Sequence, residues 1–119
     1  MLAKKYILKN KRIFQALKHK GTRKKVGAFL LGYFGDYSLK EHNRFGIVIS
    51  QHRVKKAVKR SRIKRKIRGI LFPYRETKNQ ELGFVDMAIV VLYEPTKKDY
   101  EKLKAFLAEF FSLSSSGSN

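Results

Sequence analysis

Cysteine is absent from all 119 residues, so neither a disulfide framework nor a cysteine-ligated zinc site is possible. That absence fits a reducing compartment, and the expected location is the cytoplasm. Acids are scarce: nine Asp and Glu stand against 28 Lys and Arg, for a net charge of +19. Long apolar runs are also missing. The longest, Met87 to Tyr93, is seven residues, too short for a membrane span, and the start MLAKKYILKNKRIF has no apolar core of signal-peptide length. No membrane partner is expected. His19, His42 and His52 lie in separate segments, grouped with no carboxylates at metal-ligand spacing, so no catalytic residue and no protein-held metal are expected.

What is present argues for a folded body. Hydrophobic residues make up 43% of the chain, with nine Phe and six Tyr, far more than an intrinsically disordered basic protein carries. The length suits one domain with a single two-layer core, taken as residues 1–113, with a disordered Ser-rich tail over 114–119. The charge is uneven. Met1 to Arg75 holds 23 Lys and Arg against Asp36 and Glu41, a balance of +21, whereas Glu76 to Asn119 holds five Lys against seven acids. A compact domain charged this way repels itself, and a polyanionic partner relieves that cost.

Along the chain, Asn10 as N-cap, Ile13, Phe14 and Leu17 at helical spacing, and Gly21 as terminator predict a helix over Lys11 to Lys20. VGAFLLGYF, Val26 to Phe34, reads as one strand followed by a loop. In RFGIVIS, Phe45, Ile47 and Ile49 alternate with Arg44, Gly46 and Val48, a strand with one face more buried. FVDMAIVVLYEP reads as a central strand buried on both faces, in which Asp86 is structural. Thr96 with Asp99 forms an acidic capping box, and Tyr100, Leu103, Leu107, Phe110 and Phe111 form the stripe of a last helix. The fold class is therefore α+β, a two-layer sandwich of helices on a small mixed sheet, in the order α-β-β(-β)-α-β-α.

KKAVKRSRIKRKIRGI, Lys55 to Ile70, holds nine basic residues in sixteen and no acid. On a wheel of about 100° per residue, Ile63, Ile67 and Ile70 fall on one seam that Leu71 extends. Ser61, Arg65 and Arg68 collect opposite, flanked by Arg62 and Lys64. Ala57 and Val58 break the phase, so HRVKKAV reads as a connection leading into the helix, placing Lys55, Lys56 and Lys59 at its entrance, where the helix dipole adds to their pull on phosphate. The bland reading is a solvated charged face. It is disfavoured because such faces mix signs to gain i,i+4 pairs, and no acid falls between Glu41 and Glu76.

The same stretch resembles the protein subunit of bacterial ribonuclease P, whose signature runs approximately Gly-x-Ala-Val-x-Arg-Asn-Arg-x-Lys-Arg-x-x-Arg. Ala57, Val58, Arg60, Arg62, Lys64, Arg65 and Arg68 stand in register; Ser61 replaces the usual Asn, and Lys55 a frequent Gly. LKNKRIFQALKHKG, RFGIVIS and DMAIVVLYEP resemble further segments of that family. The resemblance implies a ribosomal protein S5 domain 2-like fold and a subunit that binds the catalytic RNA and the 5′ leader of precursor tRNA. The leader would enter a cleft between the first helix and the sheet. There Phe14 and Phe29 map onto cleft aromatics, and Lys18 stands where many members carry a second aromatic. From their spacing alone, Phe14 and Phe29 read as core residues. The RNA-binding candidates are thus Lys55, Lys56, Lys59, Arg60, Ser61, Arg62, Lys64, Arg65 and Arg68.

The resemblance further implies Mg2+-dependent removal of the tRNA leader with catalysis on the RNA, Mg2+ held mainly by RNA, and one protein per RNA subunit. Charge alone leaves a structural ribosomal-RNA-binding protein open as an alternative. A duplex-DNA reader is less well supported, since no helix-turn-helix arrangement is evident.

Overall fold

The computed structural model describes residues 3–8, 22–35 and 41–111. The helix expected over Lys11 to Lys20, with Phe14 and Lys18 on it, and the 114–119 tail lie outside these residues, as does Tyr37.

Four strands, β1 (Thr22–Val26), β2 (Phe29–Gly35), β3 (Arg44–Ile49) and β4 (Val85–Val91), form one sheet in the order β1-β2-β4-β3. β1–β2 and β2–β4 pair antiparallel; β3–β4 is parallel. Helix α1 (Ala57–Leu71) crosses between the two parallel strands, and α2 (Lys97–Phe110) follows β4. The single strand expected from Val26 to Phe34 is instead a hairpin, with Val26 closing β1 and Phe29 opening β2. Gly27 makes this possible, because its φ of 58° lies in the left-handed region that costs other residues about 1–2 kcal/mol. A Cβ there would also stand 2.6 Å from Asp99 Oδ1, so the turn sits tightly on the start of α2. β1 itself is an exposed basic edge, and its cations discourage pairing with another chain.

Strand alternation divides the sheet into two faces. Phe29, Leu31, Phe45, Val85, Met87, Ile89 and Val91 turn toward the helices and form the main core. Ile63, Ile67 and Leu71 of α1 and Tyr100, Leu103 and Leu107 of α2 close it from the other side. On the opposite face, the register aligns Gly32, Ala88 and Gly46 in one row. Leu8 packs on Ala88 there, flanked by half-buried Phe34 and Val48. The main chain of Leu8 donates to the Phe45 carbonyl at 2.8 Å, docking the N-terminal segment beside β3.

β4 is buried along nearly its whole length, as its apolar run predicts. Asp86, fully buried within it, accepts from Arg44 Nε at 2.7 Å and Nη2 at 2.9 Å, which confirms a structural role. Asn43 is a second buried polar group. Its amide donates to the carbonyls of Tyr74 (2.7 Å) and Thr77 (2.8 Å), and its Oδ1 accepts from Val85 N–H (2.9 Å). The segment after α1 is thereby fastened to the sheet. At α2 the capping box is complete: Asp99 N–H donates to Thr96 Oγ1, and Asp99 Oδ2 accepts from Thr96 N–H.

Candidate nucleic-acid interface

α1 is held by three side chains at four-residue spacing, Ile63, Ile67 and Leu71, all buried. Ile70, expected on the seam, is only half-buried, because the 40° step per four residues carries the contact line toward Leu71 rather than back to Ile70. Burial of each of the three contributes roughly 1.5–3 kcal/mol, enough to hold a helix whose surface charges repel one another.

The helix begins earlier than the apolar phase suggests. Ala57 and Val58 are its first residues and Lys56 is the N-cap. The phase break marks exposure rather than a connection: Val58 is 69% exposed, while Val54, one turn before, is 4% exposed and plugs the core. No side chain caps the helix. Lys55 and Lys56 flank this open end, both exposed.

Two expected RNA contacts have work inside the protein. Arg60 Nη1 donates to the carbonyls of Val54 at 2.8 Å and Lys55 at 2.7 Å, clamping the entry turn against the helix. Lys59 Nζ lies 3.2 Å from Glu94 Oε1, an exposed pair at the end of β4. Glu94 is the missing acid of the basic stretch, supplied by the fold from 35 residues away. Exposed pairs of this kind are worth little and leave Lys59 available to a stronger anion.

The remaining cations converge. Ser61, Lys64, Arg65 and Arg68 line an open groove of about 410 Å3 together with Gly69, with no acid in its wall. Arg62 is exposed on the neighbouring side of the helix. Guanidinium forks and a lysine point charge side by side suit the phosphates of a nucleic-acid backbone.

Phe29 is not at a surface. Its ring is fully buried and tilts against Tyr100 at 5.7 Å, so it belongs to the core and cannot line a cleft. The cause is parity: the Gly27 turn sets Phe29, Leu31 and Tyr33 toward the helices and leaves Leu30 and Phe34 on the other face. Tyr33 packs on Phe106 and Phe110, and desolvation raises its hydroxyl pKa above the ordinary 10.0.

Magnesium takes oxygen ligands. Among the described residues no three His, Asp or Glu side chains gather as a metal-ligand group, so the donor set for a protein-held ion is not assembled there. Nor is any described helix long and apolar enough to cross a membrane.

The family model described as Ribonuclease P matches residues 2–113. The chain belongs to the ribonuclease P protein family. A curated relative, the ribonuclease P protein component of Synechocystis, is 34% identical over 111 residues, which is 93% of this chain and 86% of that one. The solved RNase P protein of Staphylococcus aureus matches with a TM-score of 0.70 at 22% identity, covering 90% of this chain and 98% of that one. The RNase P protein from Thermotoga maritima, in complex with 1-(4-fluorophenyl)-2-thiourea, matches with a TM-score of 0.62 at 20% identity, over 87% and 95%. The mixed four-stranded sheet with its helices is thus the fold of the ribonuclease P proteins, and the α+β expectation holds.

Within this ribonuclease P fold the cationic surface is wider than the motif. Lys66 is exposed, its Nζ 4.8 Å from the centre of the Tyr100 ring, and Arg23 and Lys25 of β1 lie on the sheet face away from the helices. Composition gave a signal for Lys66, inside the basic run, but none for β1, which has no apolar alternation.

Proposed function

We propose that this chain is the protein subunit of ribonuclease P, binding the catalytic RNA through the outer face of α1 and the 5′ leader of precursor tRNA through the sheet face away from the helices. One copy serves each RNA, in the cytoplasm. The hydrolysis that frees the mature tRNA 5′ end, and the Mg2+ it needs, stay with the RNA. The observation that carries this reading is the acid-free groove of Ser61, Lys64, Arg65 and Arg68, on a helix whose opposite side is anchored in the core.

On the sheet face, Phe34, Leu30 and Val48 are half-buried around the Gly32–Ala88–Gly46 row, with Arg23, Lys25 and Arg44 at its margins. Apolar and aromatic groups bordered by cations suit a single strand, whose bases stack while its phosphates are screened. Phe34 takes the part of strand aromatic that Phe29 cannot, alongside Phe14 and Lys18. The protein's contribution is electrostatic and positional: two polyanions must meet, and the cationic segment lowers their repulsion.

Cleavage of precursor tRNA by a bacterial ribonuclease P RNA at low Mg2+, with and without this protein, tests the proposal. Stimulation is expected; its absence refutes the reading. Crosslinking to ribosomal RNA in place of ribonuclease P RNA would favour the structural alternative.

A further inference from the structure

Gly69 lies inside α1, two residues before its end, and the backbone stays right-handed through Phe72, where φ is −50° and ψ −45°. Its φ is not positive, so no left-handed conformation calls for glycine. Nor does packing: a Cβ built there meets nothing within 4 Å. Glycine inside a helix costs about 1 kcal/mol relative to alanine, and the protein's own described contacts return nothing for it. Glycine at such a place allows an outside group to approach the backbone closely.

Two concavities meet at this residue. On one side lies the cationic groove of Ser61, Lys64, Arg65 and Arg68. On the other, a pocket of about 520 Å3 opens between α1 and α2, also bordered by Gly69. Ile70, Pro73, Tyr74 and Tyr100 supply its apolar wall, and Lys66 and Lys104 its cations. Its lining holds no acid. Tyr74 is braced by a parallel stack on Phe111, 5.2 Å between centroids at 15°. The volume is in the range that takes small organic groups. A phosphate site joined across a one-residue saddle to an apolar, aromatic pocket with positive charge at its side matches one nucleotide, phosphate on the first and base in the second.

Resting on the RNA-binding reading of α1, we propose that an unstacked nucleotide of the ribonuclease P RNA crosses α1 at Gly69, with its phosphate on Arg65 and Arg68 and its base against Tyr74 and Pro73. The RNA subunit is the occupant, because the leader is assigned to the opposite face of the sheet.

Gly69→Leu and Gly69→Gln fill the saddle, and with open space at the Cβ and better helix propensity both fold at least as stably as wild type. Affinity for ribonuclease P RNA should fall roughly 5- to 150-fold, the worth of one stacked base, with no change in salt slope because no phosphate contact is removed. With 4-thiouridine in the RNA, photocrosslinks to peptides containing Tyr74 or Tyr100 should appear with wild type and vanish with both variants. Wild-type binding that persists within twofold in both variants overturns the nucleotide pocket and leaves the RNA reading standing. Wild type that shows no salt-dependent binding overturns both.

Discussion

Arg60 distinguishes a motif residue that holds the protein from one that holds RNA. Its Nη1 bridges the carbonyls of Val54 and Lys55, at 2.8 and 2.7 Å, just before α1. Arg60→Ala strips both acceptors of a charged donor. The Val54 bond is partly buried and the Lys55 bond exposed, so the first contributes about 1 kcal/mol and the second about half that, near the lower end for charge-assisted bonds. The sum, roughly 1.5 kcal/mol, corresponds to a fall in Tm of about 6 °C for a domain of this size. Arg60→Lys should recover part of it, since an ammonium lacks the planar fork. RNA affinity should drop as Lys55 and Lys56 lose their fixed turn, yet the salt slope should stay at the wild-type value. Thermal melts paired with filter binding across a salt series measure both. An unchanged Tm with a slope lowered by about 0.7 to 0.9 would refute the clamp and make Arg60 a phosphate contact.

Asn43→Ala leaves the carbonyls of Tyr74 and Thr77 and the N–H of Val85 without their partner, at a cost of about 3 kcal/mol; denaturant midpoints measure it, and faster amide exchange at Val85 should accompany it. Gly27→Ala combines a positive φ with a Cβ 2.6 Å from the capping carboxylate, so a loss of about 2 kcal/mol or more is expected, with fraying at the start of α2 seen by hydrogen exchange. Glu76 accepts from the Tyr6 hydroxyl at 2.7 Å, and that bond, then nearby Arg75, Lys5 and His42, hold its pKa below the ordinary 4.5. A depressed carboxylate pKa stabilises above the unfolded value and is lost as pH falls through the folded one. Glu76→Gln should therefore flatten the stability profile below about pH 4.5 and change it little at neutral pH.

Where side chains repeat with the backbone's own period, the sequence was legible. The alternation of Phe45, Ile47 and Ile49, the unbroken apolar run of β4 and the Thr96–Asp99 box all correspond to elements found in place. β1 was invisible because an exposed edge strand of Arg and Lys need not alternate, and its turn uses Gly-Ala rather than a strong hairpin pair. Phe29 was misplaced for the same reason, since an unseen turn leaves strand parity unset. In the basic stretch, the seam and the outward groove followed from helical geometry. The partners of Lys59 and Arg60 did not: one comes from beyond β4 and the other is a pair of main-chain carbonyls, neither written in local composition.

The central claim is that the outer face of α1 is an RNA interface, and the salt dependence of binding tests it most directly. Affinity for ribonuclease P RNA should be measured from low to physiological salt for wild type and for the Arg65→Ala, Arg68→Ala double variant. Two lost phosphate contacts predict a slope shallower by roughly 1.4 to 1.8, with Tm unchanged because both side chains lie on the face away from the core. An unaltered slope would contradict the account and return the groove to a solvated charged surface.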